Sequence, residues 1–473
     1  MKEQNLINNL ILNTDSYKMS QWVQYPEGTE GIFSYIESRG CKFSDKIMMF
    51  GLTYFLKKYL SKPITQKDID FAEVFAKSHG EPFNKKGWQH ILDRHKGVLP
   101  LIIKAVPEGT VMPTKNVMVT VENTDPDCYW LTSYIETALL RSVWYPSTIA
   151  TNSFLTKQII KEYLDKTSDN PESEILFKLH DFGARGVNSL ESAGIGGASH
   201  LVNFMGTDTI SGVLTAMEYY DSDVCGFSIP ASEHSCITAW GKEKEQDAYS
   251  NMIRQFGEDK GNIFAVVSDS YDIYNATKNI WAKHLLKYVE KNGSTVVIRP
   301  DSGDPTKVPV DIIKILMNEV GCTINKKGYK VLPDYVRVIQ GDGITRETLK
   351  QILENLEAEK ISATNITFGM GGGLLQQFDR DTFKFAMKCS SAKIYGIWKD
   401  VYKDPVTDKG KISKKGRLTL VKDEQTGKFR TIIHGQEIKP NEINMLKTVY
   451  NNGIKYDMLD NFETIRQTAN NYL

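Results

Sequence analysis

Between about residues 160 and 390 the chain repeats one pattern. A short β-branched or aromatic run ends in polar or glycine-rich residues, and a helical stretch follows. The runs are ILFKLHDFGARG (175–186), VCGFSIPASEH (224–234), NIFAVVSDSYD (262–272), TVVIRPDSGD (295–304), YVRVIQGDG (335–343) and NITFGMGGG (365–373). Between them lie stretches such as DIYNATKNIWAKHLLKYVEKNG and TRETLKQILENLEAEK. In the second, Leu349, Ile352, Leu353 and Leu356 recur at the three-to-four spacing of one helix face. Strands alternating with helices predict a parallel sheet. Six or more such units closing on themselves predict a β/α barrel.

Outside this region the pattern changes. Residues 99–122 alternate and carry hairpin punctuation, and 416–433 read as a hairpin with a Thr-Gly turn. The two chain ends are therefore expected to build a second, sheet-containing domain. The expected division is 1–150 with 390–473 for that domain and 151–389 for the barrel.

A β/α barrel carries its site at the C-terminal ends of its strands. Here those ends hold Asp181, Arg185, Glu233, His234, Asp269, Arg299, Asp301 and Asp342. Charges directly after apolar strands are costly to bury without a ligand or mutual pairing. Aspartate and serine also serve as turn residues and helix caps, but that role suits Arg185 and Arg299 poorly, so the set points to a site.

Composition narrows the classes. The chain has 473 residues, 41% hydrophobic and 25% charged, with 58 basic against 58 acidic residues. That length suits two or three domains, or a barrel with additions. Zero net charge argues against a general nucleic-acid or membrane-surface binder. No apolar run approaches the ~20 residues of a membrane span, and the N-terminus lacks a signal-peptide pattern. The six cysteines form no CxxC pair, and no His/Cys cluster shows zinc spacing. A reduced, cytoplasmic protein is expected.

The motifs suggest phosphate chemistry. Glycines 369, 371, 372 and 373 lie between a strand and a helix, where backbone N–H groups approach a phosphate. GDG at 341–343 is a second such place, with Asp342 suited to ribose hydroxyls. Arg299 offers a planar fork for phosphate. Asp301 suits ribose hydroxyls or hydrated magnesium, or pairs with Arg299. Lys388, Lys403, Lys411, Lys414 and Lys415 make a local positive segment in a neutral protein.

Taken in order, TDSYK (14–18), HDFGARGVNSLESAGIGGASHLVNFMGTDT (from 180), SIPASEHSCITAWGK, SDSYDIYNA, IRPDSG, QGDG, FGMGGGLLQ and KDPVTDKGKISKKGRL resemble the nicotinamide phosphoribosyltransferase family of type II phosphoribosyltransferases. The motifs keep family order and cover about residues 10 to 460.

The resemblance implies an irregular β/α barrel joined to an α/β sandwich domain built from both chain ends. It also implies a homodimer with shared active sites. The implied reaction transfers phosphoribose from phosphoribosyl pyrophosphate to nicotinamide, giving nicotinamide mononucleotide and pyrophosphate, with magnesium and with ATP as co-substrate. Phe182 and Tyr17 match the aromatics on the two faces of the pyridine ring, Tyr17 coming from the second subunit. Asp208 matches the residue facing the carboxamide. A carboxylate accepts from an amide and repels the carboxylate of nicotinate. Arg185 and Arg299 look like residues around the base and the 5′-phosphate. Asp301 resembles a ribose or magnesium ligand. Gly341, Asp342, Gly371 and Gly372 resemble the ribose-phosphate cradle, with Arg380 and Lys388 as further phosphate contacts. Arg39, Lys403 and Lys411 match positions linked to pyrophosphate or ATP. His234 matches the histidine that ATP phosphorylates, with Asp269 as its orienting partner and Glu233 alongside.

Met370, Ala386 and Ala184 depart from residues common in relatives: a small polar residue, a serine and an aromatic, respectively. Competing readings are a nicotinate phosphoribosyltransferase, which Asp208 opposes, and a phosphohistidine-dependent hydrolase, which lacks an RHG-type arginine beside its histidine. A catalytically silent binding protein on a barrel scaffold is a third.

Overall fold

Six short strands run parallel in the order Gly206–Thr207, Leu179–Asp181, Ile366–Met370, Val336–Gln340, Thr295–Arg299, Ile263–Val267. In the computed structural model, which describes residues 6–407 and 411–473, an irregular segment joins the two outer strands. Gly206 bridges Phe227 and Ala265 bridges Ala231, both in parallel sense. On one side the Thr207 N–H donates to the Phe227 carbonyl at 2.9 Å and the Phe227 N–H to Met205 at 2.7 Å. On the other, the Ala265 N–H donates to Pro230 at 2.9 Å and the Ser232 N–H to Ala265 at 3.0 Å. The ring is thus closed, and each member neighbours the next in sequence. This is the barrel that the alternating pattern predicts, with its seventh member too irregular to count as a strand.

The interior follows from strand alternation. Ala265, Val297 and Ile339, one from each of three strands, form a buried cluster with Ile229 and Phe182 against it. At the opposite end, the buried Lys178 ammonium donates to the carbonyls of Ala363, Thr364 and Ile366 at 3.0–3.1 Å and pairs with Glu174 at 3.1 Å. It ties the start of the first strand to the start of the last. The predicted helix after GDG runs Arg346–Ala358, opened by a Thr345–Thr348 capping box, and buries Leu349, Ile352, Leu353 and Leu356.

The barrel unit comprises Asn152–Met217 and Asp223–Gln377. The other unit comprises the chain up to Thr151, Glu218–Ser222 and Phe378–Tyr472. Its main sheet is antiparallel, in the order Ile397–Asp400, Phe385–Ile394, Thr29–Ser38, Val117–Asn123, Leu101–Ala105, Lys447–Asn451. Both chain ends contribute. Leu418–Asp423 and Phe429–Ile433 pair as the hairpin seen in sequence. Two stretches differ from the sequence reading, Glu218–Ser222 and 378–389. Residues 378–389 belong here and not to the barrel, because Phe385–Ile394 pairs along the whole of Thr29–Ser38. Among the described residues no helix is long and apolar enough to cross a membrane.

One side chain adds to the backbone bonds that close the ring. The buried Ser232 hydroxyl accepts the Val267 N–H at 3.0 Å, where the bent backbone of its own segment offers no carbonyl. Ser232→Ala leaves that N–H unpaired inside the protein. It is expected to lower unfolding free energy by about 1–3 kcal/mol in urea titration. An unchanged midpoint would show that the closure does not need this bond.

Candidate active site

Every charged strand end named from the sequence lies on one rim of the barrel. A cavity of about 620 Å³ opens there, lined by Phe182, Ala184, Arg185, Asp208, Glu233, Arg299, Asp301, Gly341, Asp342, Gly371 and Gly372 among others.

The first strand delivers the aromatic. The Phe182 N–H donates to the Met370 carbonyl at 3.0 Å, which extends strand pairing by one residue. Its ring lies over two glycines. A Cβ at 369 would stand 2.0 Å from the ring and one at 341 would stand 3.1 Å from it. Glycine at these positions therefore makes room for a half-buried aromatic. A Cβ at 372 would meet only open space beside the cavity, the property a phosphate cradle needs. Met370 is buried, with its side chain packed near Gly373.

Before Phe182 comes Asp181, fully buried, with Oδ1 accepting the Gly183 N–H at 2.7 Å. Burial, helped by the charge of Asp208, pushes its carboxyl up to about 6. Asp208 is exposed, and its Oδ1 accepts from the Ser228 hydroxyl at 2.6 Å.

His234 opens the short helix His234–Thr238, two residues beyond the ring-closing Ser232. Its Nε2 lies 2.9 Å from Asp269 Oδ1 and its Nδ1 lies 3.9 Å from Asp301 Oδ2. The Asp269 side chain is only 3% exposed. As a carboxylate it accepts from Nε2–H, the tautomer that leaves the lone pair on Nδ1. Asp269 Oδ2 accepts the Ser302 hydroxyl at 2.5 Å, which holds the carboxylate in place. Glu233 precedes the helix and accepts from the Ser235 hydroxyl. The His234 ring is 46% exposed, so this histidine is oriented from behind and open in front.

Arg299 and Asp301 stand apart by 3.8 Å, too far for a hydrogen bond. Arg299 Nε is buried and has no hydrogen-bond partner. An unpaired buried guanidinium N–H is costly unless an anion completes it. Asp301 presents one carboxylate at the cavity. Hydrated magnesium is bound by one or two carboxylates together with phosphates, so this donor set fits that ion when phosphate is present.

The sheet-containing unit carries the remaining candidates. Tyr17 lies exposed on the turn of helix Ser16–Val23, anchored by buried Lys18, which pairs with Glu136 at 2.7 Å. Lys388 faces Tyr35 across the Thr29–Ser38 pairing. Burial pulls its ammonium down, and Arg39, Lys18 and Arg380 add to this while Glu136 opposes it. Arg39 donates from Nε to Glu37 at 3.1 Å, but its Nη2 is buried without a hydrogen-bond partner. Arg380 pairs with Asp381. This gathers Arg39, Arg380 and Lys388 into a positive cluster of the kind that phosphates neutralise. Ala386 sits opposite Glu37 in the same pairing. Lys403 is joined through its backbone to Ser413, and Lys411 is exposed. Residues 408–410 of the basic segment lie outside the described residues.

Sequence reasoning missed Ser228 and Ser302, which hold Asp208 and Asp269. A serine carries no motif signal of its own at this spacing. It also missed Ser232.

Residues 177–454 match the family described as "Nicotinate phosphoribosyltransferase (NAPRTase) family", and residues 9–103 match "Nicotinamide phosphoribosyltransferase, N-terminal domain". The chain is 55% identical over 427 residues to a nicotinamide phosphoribosyltransferase of Xanthomonas campestris, covering 90% of each chain. It is 32% identical to one from Acinetobacter baylyi, covering 93% of each. A solved nicotinate-nucleotide pyrophosphorylase from Pyrococcus furiosus superposes with a TM-score of 0.64 at 16% identity, covering 99% of this chain and 96% of that one, which shows a shared fold.

The raised Asp181 predicts a pH dependence of stability. Its folded value, about 6, lies above the ordinary 3.8. Its stabilising contribution is therefore fully present below about pH 4 and is lost as pH rises through about 6. Asp181→Asn removes this titration. Between about pH 4 and 7 the wild type should lose roughly 3 kcal/mol relative to the variant in denaturant titrations. A pH-independent difference would show that Asp181 stays ionised.

Proposed function

This chain belongs to the nicotinate phosphoribosyltransferase family, and we propose that it acts as a nicotinamide phosphoribosyltransferase. It makes nicotinamide mononucleotide and pyrophosphate from nicotinamide and phosphoribosyl pyrophosphate in NAD salvage. The observation that carries this reading is the rim of the barrel cavity. There an aromatic ring on a glycine floor, an exposed carboxylate and an unpaired arginine N–H surround one space.

A flat pyridine ring stacks on Phe182. The Asp208 carboxylate accepts the carboxamide N–H and disfavours the anionic acid, and Ser228 fixes which oxygen is presented. Arg299 and the glycine turns at 341 and 371–372 hold the phosphoribosyl group. In the transfer step the bond from C1 of the ribose to pyrophosphate breaks as the bond to the ring nitrogen forms. Positive charge builds on the sugar, and negative charge on the departing pyrophosphate. Magnesium, when bound with Asp301 and the phosphates, neutralises part of that growing charge. The cluster of Arg39, Arg380 and Lys388, with Lys403 and Lys411, suits a pyrophosphate or the phosphates of ATP. A homodimer in which Tyr17 of one copy covers the ring bound to the other is part of this reading, as is a cytoplasmic location.

His234 is read as a nucleophile toward the γ-phosphoryl group of ATP. Nε2–H bonded to Asp269 leaves Nδ1 to form the P–N bond as ADP departs. The phosphohistidine couples ATP hydrolysis to synthesis without entering the sugar transfer.

Four measurements test the proposal. Mononucleotide formation is measured with nicotinamide and nicotinate in parallel, each with and without ATP. Nicotinamide should be preferred and ATP should raise turnover; nicotinate preference would move the chain to the sister activity. Asp208→Ser should raise nicotinate use about tenfold or more relative to nicotinamide. His234→Ala should abolish the ATP effect and acid-labile labelling by γ-phosphate-labelled ATP while basal transfer persists. Gly369→Ala should raise the KM for nicotinamide by displacing the Phe182 ring, with little effect on the KM for phosphoribosyl pyrophosphate.

A further inference from the structure

Far along the chain from the residues above, the fold assembles a cluster that no sequence spacing announces. His90 and His95 lie on the helix Lys85–His95, five residues apart. Asp125 lies thirty residues beyond His95, at the cap of the turn Pro126–Cys128. Both imidazoles aim Nε2 at the same carboxylate oxygen, Asp125 Oδ2, at 2.8 and 2.6 Å. The three donor atoms lie within 4.8 Å of one another. Asp127 Oδ2 stands 3.9 Å from His90 Nε2 and is largely exposed.

The arrangement has the marks of a metal site. Two imidazoles and a carboxylate are ligand types that suit zinc. Asp125 is oriented from outside the cluster: its Oδ1 accepts the Asp127 N–H at 2.9 Å, so Oδ2 is the oxygen turned to the rings. Such support of a ligating carboxylate is usual around bound metals. The side chains of His90, His95 and Asp125 are 26%, 25% and 18% exposed, which leaves a way in for an ion and for water. The donors sit closer together than the ~3.4 Å that tetrahedral zinc bonds of about 2.1 Å require, and must open by roughly 0.6–0.8 Å. His95 is the last residue of the helix and Lys96 turns left-handed, so a shift of its ring strains no interior turn, while His90, in mid-helix, adjusts by side-chain rotation.

We propose that His90, His95 and Asp125 form a zinc-binding site, with Asp127 or water as fourth ligand, that fastens the helix Lys85–His95 to the Pro126–Cys128 turn. What it fastens matters to the rest of the unit. Trp88 on that helix packs edge-on against Trp130 and Tyr134. Tyr134 in turn holds the N-terminal segment, its hydroxyl donating to Ile11 and its carbonyl accepting from Thr14. The site therefore braces the segment that leads to Tyr17. Without a metal, the same three groups form a plain hydrogen-bonded network, and the experiment separates the two.

The full-length protein is stripped with chelator, freed of it, and titrated with Zn²⁺ by calorimetry at several pH values. One equivalent should bind per chain with micromolar affinity or better. Affinity should fall as pH is lowered, because zinc binds only the neutral imidazole and must then displace protons; a neutral ring merely carries its proton on Nδ1 and releases none. The melting temperature should rise with Zn²⁺ concentration. Co²⁺ should give a spectrum without thiolate-to-metal charge transfer, which excludes the free cysteines as ligands. The double variant His90→Gln with His95→Gln keeps two N–H donors for Asp125 but lacks the metal-binding nitrogens. It should lose affinity by roughly a hundredfold or more while retaining its Mg²⁺-supported transfer activity. Each single variant serves the same purpose if the double variant does not fold. Absence of stoichiometric binding in the wild type would overturn the proposal, as would binding that the variants leave unchanged.

Discussion

The barrel depends on a segment that is not a strand. Residues 227–232 accept and donate backbone hydrogen bonds on both sides, to the Gly206–Thr207 strand and to Ile263–Val267, and so complete a seven-membered ring. A parallel sheet left open there would expose unpaired N–H and C=O groups at two edges. Pro230 fits because its missing N–H is not needed where its carbonyl alone bonds Ala265. Ser232 supplies by side chain the acceptor that the bent backbone withholds. The bend then releases the chain directly into Glu233 and His234, so the irregularity that closes the ring also sets the histidine at the rim.

Around that rim the charges are organised by unequal pairing. Asp269 is fully engaged, by His234 on one oxygen and Ser302 on the other. Asp208 is held on one oxygen by Ser228 and remains exposed. Arg299 keeps a buried N–H without an acceptor. A structural ion-pair network would satisfy its members mutually; here satisfied groups orient unsatisfied ones, which is how preorganised polar sites are built. The positive cluster of Arg39, Arg380 and Lys388 shows the same imbalance, with Arg39 Nη2 unpaired and the Lys388 ammonium destabilised chiefly by burial.

Much of this was legible before any coordinates. Alternating apolar runs and helical periods marked the barrel strands, the Arg346–Ala358 helix and the Leu418–Ile433 hairpin, because these rest on local spacing. Charged residues after apolar runs marked the rim. The strand Phe385–Ile394 was divided in the wrong place because its partner, Thr29–Ser38, lies more than 340 residues away and leaves no trace beside it. The serines behind Asp208 and Asp269 were missed for the same reason. Spacing along the chain shows no His/Cys cluster of zinc type, and the meeting of His90 and His95 with Asp125 comes only across a turn.

The sequence by itself determined the period of each element, the glycines that leave room at 341 and 369, and the residue types available at each strand end. These are properties of neighbouring residues, set by backbone sterics and by which side chains can share a face. The tertiary structure alone decided which ends meet: that 227–232 closes the ring, that Ser228 and Ser302 stand behind Asp208 and Asp269, that Arg299 keeps a free N–H, and that three groups converge near Asp125. Such meetings are fixed by long-range backbone pairing and by what burial leaves unsatisfied, and neither is written in local order.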